Sequence, residues 1–210
     1  MKKIYRINTK GITLIELLIA LVICGFVIAG IYRVFIAQTR AYTVQDQVVE
    51  VQQGIRSAME ILLRDVRMSG YDNDSLTSKI SIANPIVPAD HSVTVNYEYD
   101  DTHRYEVTYS LMNGNLTRQL TIYPDAGPST STTDTILENV DALNFEYGVD
   151  NNHDGVLELV QAAGIDPTKV MAVRVVLTAK PDQTNPDVKN WVSPRTLTST
   201  VALRNQSLMW

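Results

Sequence analysis

The run from Ile12 to Tyr32, ITLIELLIALVICGFVIAGIY, constrains this chain more than any other feature: 20 of its 21 residues are uncharged, and the exception is Glu16. A helix of that length rises about 30 Å, enough to cross the hydrocarbon core of a bilayer. Arg33 and Arg40 follow, where a spanning helix would leave the lipid. The preceding residues 1–11, MKKIYRINTKG, contain Lys2, Lys3, Arg6 and Lys10 and no acid. Without them the chain holds 14 basic residues against 23 acidic ones. A basic head before an acidic body is the charge layout of an exported or membrane-inserted protein whose head stays in the cytoplasm.

Three readings fit such a segment: a secretory signal cut after the apolar run, near Val27-Ile28-Ala29; an uncut signal anchor; and a leader cut before the apolar run. Glu16 discriminates among them. A carboxylate at that depth costs about 2.5–3.5 kcal/mol on insertion scales, and neither of the first two readings has a use for it. A cut between Gly11 and Ile12 would give Ile12 a new α-amino group, with Glu16 four residues further on. The amine of one subunit can then pair with Glu16 of its neighbour in a helical bundle, offsetting both buried charges.

The stretch Lys10-Gly11-Ile12-Thr13-Leu14-Ile15-Glu16-Leu17-Leu18 resembles the class III (prepilin) signal of type IV pilins and type II secretion pseudopilins. Gly11, Ile12 and Glu16 match the family's pattern position by position; the first mature residue is usually Phe in the family and is Ile12 here. The resemblance implies cleavage by prepilin peptidase, N-methylation of Ile12, assembly through Glu16, and an apolar helix shared between the inner membrane and a filament core. It also implies partners: other minor and major pilins and the inner-membrane assembly platform. The implied location is a single pass in the inner membrane with a periplasmic C-terminal domain, then the pilus or pseudopilus.

No proline occurs before Pro85, so the helix need not stop at Tyr32. Val48, Val51, Ile55, Met59 (or Ala58), Leu62 and Val66 recur at steps of three and four, one apolar stripe. Gln45, Asp46, Gln53, Arg56, Glu60, Arg64 and Arg67 mark the other side, and Gly70 suits the residue just past a helix end. A helix from about Ile12 to Met68 would measure about 85 Å at 1.5 Å per residue.

Beyond Tyr71 the period changes to two. Val93–Tyr99, Arg104–Leu111 and Leu116–Tyr123 alternate, with Asn113-Gly114 as a hairpin signal, and predict an antiparallel meander. Later strands are expected at Ala142–Tyr147, Val170–Ala179 (the most apolar, hence central) and Thr196–Arg204. Residues 124–134 and 180–194 read as surface loops. The expected fold is α+β and pilin-like: a long N-terminal helix, transmembrane in its first half and amphipathic in its second, packed on an antiparallel β-sheet domain. The expected division is a leader at 1–11, a membrane or filament-core helix at 12–40, an amphipathic helix at 41–70 and a β domain at 71–210. Glu138–Gly148, Ala172–Val175 and Arg195–Leu197 resemble segments of PilW-like minor pilins, the latter two also of the GspJ-like minor pseudopilin of type II secretion. The resemblance implies a subunit that primes and caps a filament; the alternatives are the GspJ-like role and an adhesin displayed at a pilus tip.

Asp150-Asn151-Asn152-His153-Asp154-Gly155 matches the first half of a calcium loop. Asp150, Asn152 and Asp154 would offer side-chain oxygens, Val156 its carbonyl and Glu158 a carboxylate to Ca²⁺. Position twelve is Gln161, so the bidentate Glu is missing, and Asp, Asn and Gly are also ordinary turn formers. Both readings stay open; a calcium-dependent rise in melting temperature separates them.

The formal net charge is −5, with no basic excess to neutralise phosphates, so nucleic-acid binding is not expected. The single cysteine, Cys24, excludes an intrachain disulfide and a cysteine zinc cluster. His91, His103 and His153 are scattered. No nucleophile motif, phosphate loop or HExxH occurs, and the acids Glu98, Asp100, Asp101 and Glu106 read as a solvated hairpin face, so an enzyme is not expected. Replacing Gly11 by a bulky residue should make the chain accumulate heavier by its 11-residue leader, as read by mass spectrometry; normal processing would overturn the assigned cut.

Overall fold

The computed structural model describes residues 11–72, 82, 84–150, 156–203 and 205. One helix, α1, runs unbroken from Leu14 to Met68. The strands follow in chain order: β1 (Ile86–Pro88), β2 (Ser92–Asp100), β3 (His103–Met112), β4 (Asn115–Pro124), β5 (Thr130–Leu137), β6 (Val140–Val149) and β7 (Glu158–Val160). A 3₁₀ turn at Pro167–Lys169, strand β8 (Val170–Ala179), helix α2 (Pro186–Trp191) and strand β9 (Arg195–Ala202) complete it. The chain divides into two compact units, Met1–Gln45 and Asp46–Trp210.

In the first unit α1 is solvent-accessible throughout and, Glu16 excepted, apolar on all sides as far as Tyr32. It is long and apolar enough to cross a membrane by length and composition. In the second unit the same helix becomes one-sided. Val51, Ile55, Ala58, Met59, Leu62 and Val66 are buried, and Val48 is half-buried, along the stripe that the spacing predicts. Ala58 and Met59 both face inward, so the apolar face is wider than a single seam.

The helix stops for a local reason. Gly70 takes a left-handed φ of 71°, and a Cβ there would come within 3.1 Å of the Pro85 ring. Only glycine meets both conditions without strain. Its N–H donates to the Asn96 carbonyl of β2 at 2.8 Å, and the Ser69 hydroxyl donates to the Pro85 carbonyl at 2.8 Å. The helix end is thereby stitched to the sheet, while the Ser69 and Tyr71 N–H groups close it locally on the Val66 and Met68 carbonyls.

Two antiparallel sheets form where the alternation predicts one meander plus further strands. The first has order β1-β2-β3-β4-β5 and the second β7-β6-β8-β9. Asn113 and Gly114, with φ of 51° and 76°, make the left-handed two-residue turn between β3 and β4. β8 lies inside its sheet, between β6 and β9, as its apolar sequence requires. The sheets share a core that includes Leu62, Ile86, Tyr109, Leu116, Phe145, Tyr147 and Leu177. They are tied at a seam: the Phe145 N–H donates to the Asp90 carbonyl at 2.9 Å, and the Tyr147 hydroxyl donates to the Ala89 carbonyl at 2.7 Å.

Three expectations are corrected. The turn-rich segment 124–134 ends in strand β5, from Thr130. Its Thr/Ser sequence has strand propensity but no apolar alternation, because neither face of residues Thr130–Thr135 is covered. The segment 180–194 contains α2, opened by Pro186 and anchored by buried Val188 and Val192. Glu98, read as part of a solvated acidic face, is 1% exposed. It follows Tyr97 on β2, and its N–H donates to the Tyr71 carbonyl, so the chain leaving α1 runs beside it.

The sequence gives no warning of Asp65, which lies on the buried face of α1 at 3% exposure. Its Oδ2 accepts from the Tyr109 hydroxyl of β3 at 2.8 Å and from the Arg118 Nε of β4 at 2.7 Å. A buried carboxylate is tolerable only when paired and hydrogen-bonded. This one converts a desolvation cost into a fixed rotation of the helix over the sheet. Asp65→Ala would strand a largely buried guanidinium and should destabilise the β-domain by about 3–5 kcal/mol in a denaturant titration.

Burial, and secondarily the Asp65 charge, pushes the Tyr97 hydroxyl up from 10.0 to about 12. Burial likewise raises Tyr109 and Tyr147. A raised folded-state pKa adds stability that is fully present below the unfolded value and is lost as pH climbs through the folded value. The melting temperature should therefore be flat to about pH 10 and fall between pH 10 and 12. A flat profile through that window would contradict the burial of these hydroxyls.

Candidate functional site

Gly11, Ile12 and Thr13 precede the helix in non-helical backbone and are exposed, so the Gly11–Ile12 peptide bond lies in an accessible segment. A Cβ on Gly11 would meet nothing within 4 Å. The fold gives no reason for glycine at this position. Ile12, the residue that would carry the new amine, is 78% exposed.

Thr13 and Glu16 form a reciprocal cap on the first turn of α1. The Thr13 N–H and hydroxyl both donate to Glu16 Oε2 at 2.9 Å. In return the Glu16 N–H donates to Thr13 Oγ1 at 3.3 Å. This is the S/T-x-x-E capping box, which satisfies helix N–H groups that have no intrahelical acceptor. Glu16 also places negative charge at the positive end of the helix dipole. Thr13-Leu14-Ile15-Glu16 carries this signature, a local use of Glu16 beside the intermolecular one that its depth suggests.

The cap does not exhaust the carboxylate. Both Thr13 donors converge on Oε2, and among the described residues Oε1 has no hydrogen-bond partner. An ionised carboxylate can accept about four hydrogen bonds. Holding its own helix start and receiving an ammonium from outside are compatible demands on one side chain.

Of the five residues of the calcium-loop reading, Asn152 and Asp154 lie outside the described residues. Asp150, Val156 and Glu158 flank the connection between β6 and β7, where Val149 and Glu158 are register partners. Among the described residues no group of three or more His, Cys, Asp or Glu side chains is placed to hold a metal ion. A groove of about 270 Å³ lies between α1 and the strand ends, lined by residues including Gln47, Glu50, Gly54, Leu137, Lys180 and Asp182. It contains no paired nucleophile and base.

The prokaryotic N-terminal methylation motif matches residues 6–32, the basic head and apolar helix containing Gly11, Ile12 and Glu16. The family described as type IV pilus-assembly protein W matches residues 99–206, from the end of β2 past β9. No curated protein matches the chain. The second match covers just over half of the sequence and takes in most of both sheets. With the methylation motif over the apolar run and the family's signature over most of both sheets, the chain belongs to the PilW family of type IV pilus-assembly proteins, a membrane-anchored structural subunit of the minor-pilin kind and not an enzyme.

Proposed function

We propose that this minor pilin joins other minor subunits in a complex that primes filament growth at the inner-membrane assembly platform and afterwards caps the filament. Prepilin peptidase cuts between Gly11 and Ile12, and Ile12 is N-methylated. The new amine of an adjoining subunit then reaches Glu16 Oε1, while Oε2 stays on Thr13. The β-sheet domain lies on the periplasmic side.

The observation that carries this reading is the half-used carboxylate at the start of a helix whose apolar surface has no cover in its own unit. In lipid or a filament core, an ammonium–carboxylate pair is far stronger than in water, because the local dielectric is low. Partnering fixes how far one helix slides along the next, and that sets axial register. Gly25 and Gly30 support the same reading: a Cβ on either would meet nothing within 4 Å in this chain. Small residues on an apolar helix let a second helix approach closely.

Substitutions at the cap separate the two roles. Glu16→Gln keeps a capping side chain but removes the charge; Thr13→Ala weakens the cap, at a cost of about 0.5–2 kcal/mol, but keeps the charge. Glu16→Gln should stay membrane-inserted and be processed, yet fail in piliation about as severely as Glu16→Ala, while Thr13→Ala should retain most piliation. Full piliation with Glu16→Gln would refute the pairing role. Mass spectrometry of the mature terminus should find a methylated Ile12; a chain beginning elsewhere would refute the processing.

A further inference from the structure

The four sheet edges of this domain are not alike. β1 and β7 are edges of three residues each, and β1 ends on Pro88. Short strands and proline are the usual protection against a stray strand. β9 is longer but conventional: Val201 is buried and Leu197 and Ser199 are half-buried, alternating with exposed Thr196, Thr198 and Thr200. β5 differs from all of them. It has eight residues, pairs only with β4, and is exposed at every position from Thr130 to Thr135. Both faces of that stretch and its outer edge are therefore open to solvent among the described residues.

The ladder to β4 holds β5 straight, with an unbroken register from Thr117↔Thr135 to Ile122↔Thr130. On one face Ser131 Oγ accepts from Gln119 and Thr121 of β4 at 3.1 and 3.2 Å. The stretch TSTTDT contains no Lys, Pro or Gly, and the one register shift of the ladder falls beyond it, at Ile136, so from Thr130 to Thr135 neither proline nor a bulge interrupts the edge. Its single charge, Asp134, lies opposite Arg118. What remains is a row of outward backbone donors and acceptors, presented by a Thr-rich strand that buries almost nothing of its own from Thr130 to Thr135.

Resting on the assembly role above, we propose that β5 is an acceptor edge in the assembled complex, and that an adjoining pilin-fold subunit adds an extended, uncharged strand to it. The chemistry of the edge selects the occupant. Only an extended backbone matches donors and acceptors repeating along a strand about 27 Å long. Neighbours anchored in the same membrane present such strands at high effective concentration, so a modest ladder suffices. Pairing β5 with β5 of a second copy would close a twofold dimer, whereas a filament subunit needs a heterologous contact that leaves the series open.

Adjacent residues of an antiparallel strand direct their N–H groups to opposite sides. Of Thr132→Pro and Thr133→Pro, one therefore removes a ladder donor to β4 and the other an outward donor. The melting temperature of the full-length protein in detergent identifies the outward one as the variant closer to wild type. That variant should be processed and inserted normally but give at least tenfold fewer pili than wild type. A p-benzoylphenylalanine in place of Ser131, irradiated in cells, should crosslink to a strand segment of a different processed pilin-fold subunit. Wild-type piliation with the outward proline, no adduct, or an adduct only to a second copy of this chain would overturn the proposal. Deletion of the whole chain tells the two claims apart. If piliation survives deletion, the assembly role falls and this proposal with it; if deletion abolishes pili and the outward proline does not, this proposal alone falls.

Discussion

One uninterrupted helix has to satisfy two solvents. From Leu14 to Tyr32, Glu16 excepted, the side chains are apolar in every direction and nothing among the described residues of their unit covers them; from Val51 onward a single face is buried. A helix satisfies its backbone hydrogen bonds internally, so the same secondary structure serves in lipid, in a protein core and against a sheet. What changes along it is only where the apolar side chains point. The sheets form where the helix becomes one-sided, and the proposed pairing at Glu16 belongs to the half where it does not.

Two carboxylates on α1 illustrate the two environments. Glu16 lies in the apolar half and is held by its own helix start through Oε2, while Oε1 has no hydrogen-bond partner among the described residues. Asp65 lies in the amphipathic half, where Tyr109 and Arg118 from two adjacent strands occupy it within the chain. The first is exposed, the second buried and fully engaged within its own chain. That difference is set by position along one helix, not by residue chemistry.

The legibility of these features follows from their range along the chain. The proposed cut site, the apolar run and the capping signature are each written in consecutive residues, within reach of local chemistry. The C-terminal stripe from Val51 to Val66 and the Asn113-Gly114 turn are also local, being fixed by period and by backbone sterics. Asp65 looked like an ordinary helix residue beside Arg64 because its partners lie 44 and 53 residues away. Glu98 looked solvated because it stands among Asp100, Asp101 and Glu106, and sequence neighbours say little about burial on a strand. β5 was hidden for the opposite reason: periodicity reports a strand only through a face that is buried, and no face of Thr130–Thr135 is.

The sequence by itself determined the membrane-competent helix, the basic head before it, the acid at its fifth apolar-segment position and the α+β order of elements, because each of these depends on side-chain hydrophobicity, charge and spacing within one turn or one hairpin. Only the tertiary structure decided that the strands divide into two sheets, that Asp65 clamps helix to sheet, and that the eight-residue β5 has no strand on its outer side among the described residues. Those outcomes depend on which strands meet across long stretches of chain. Their energies come from contacts that exist only after the backbone has closed, and no local pattern encodes them.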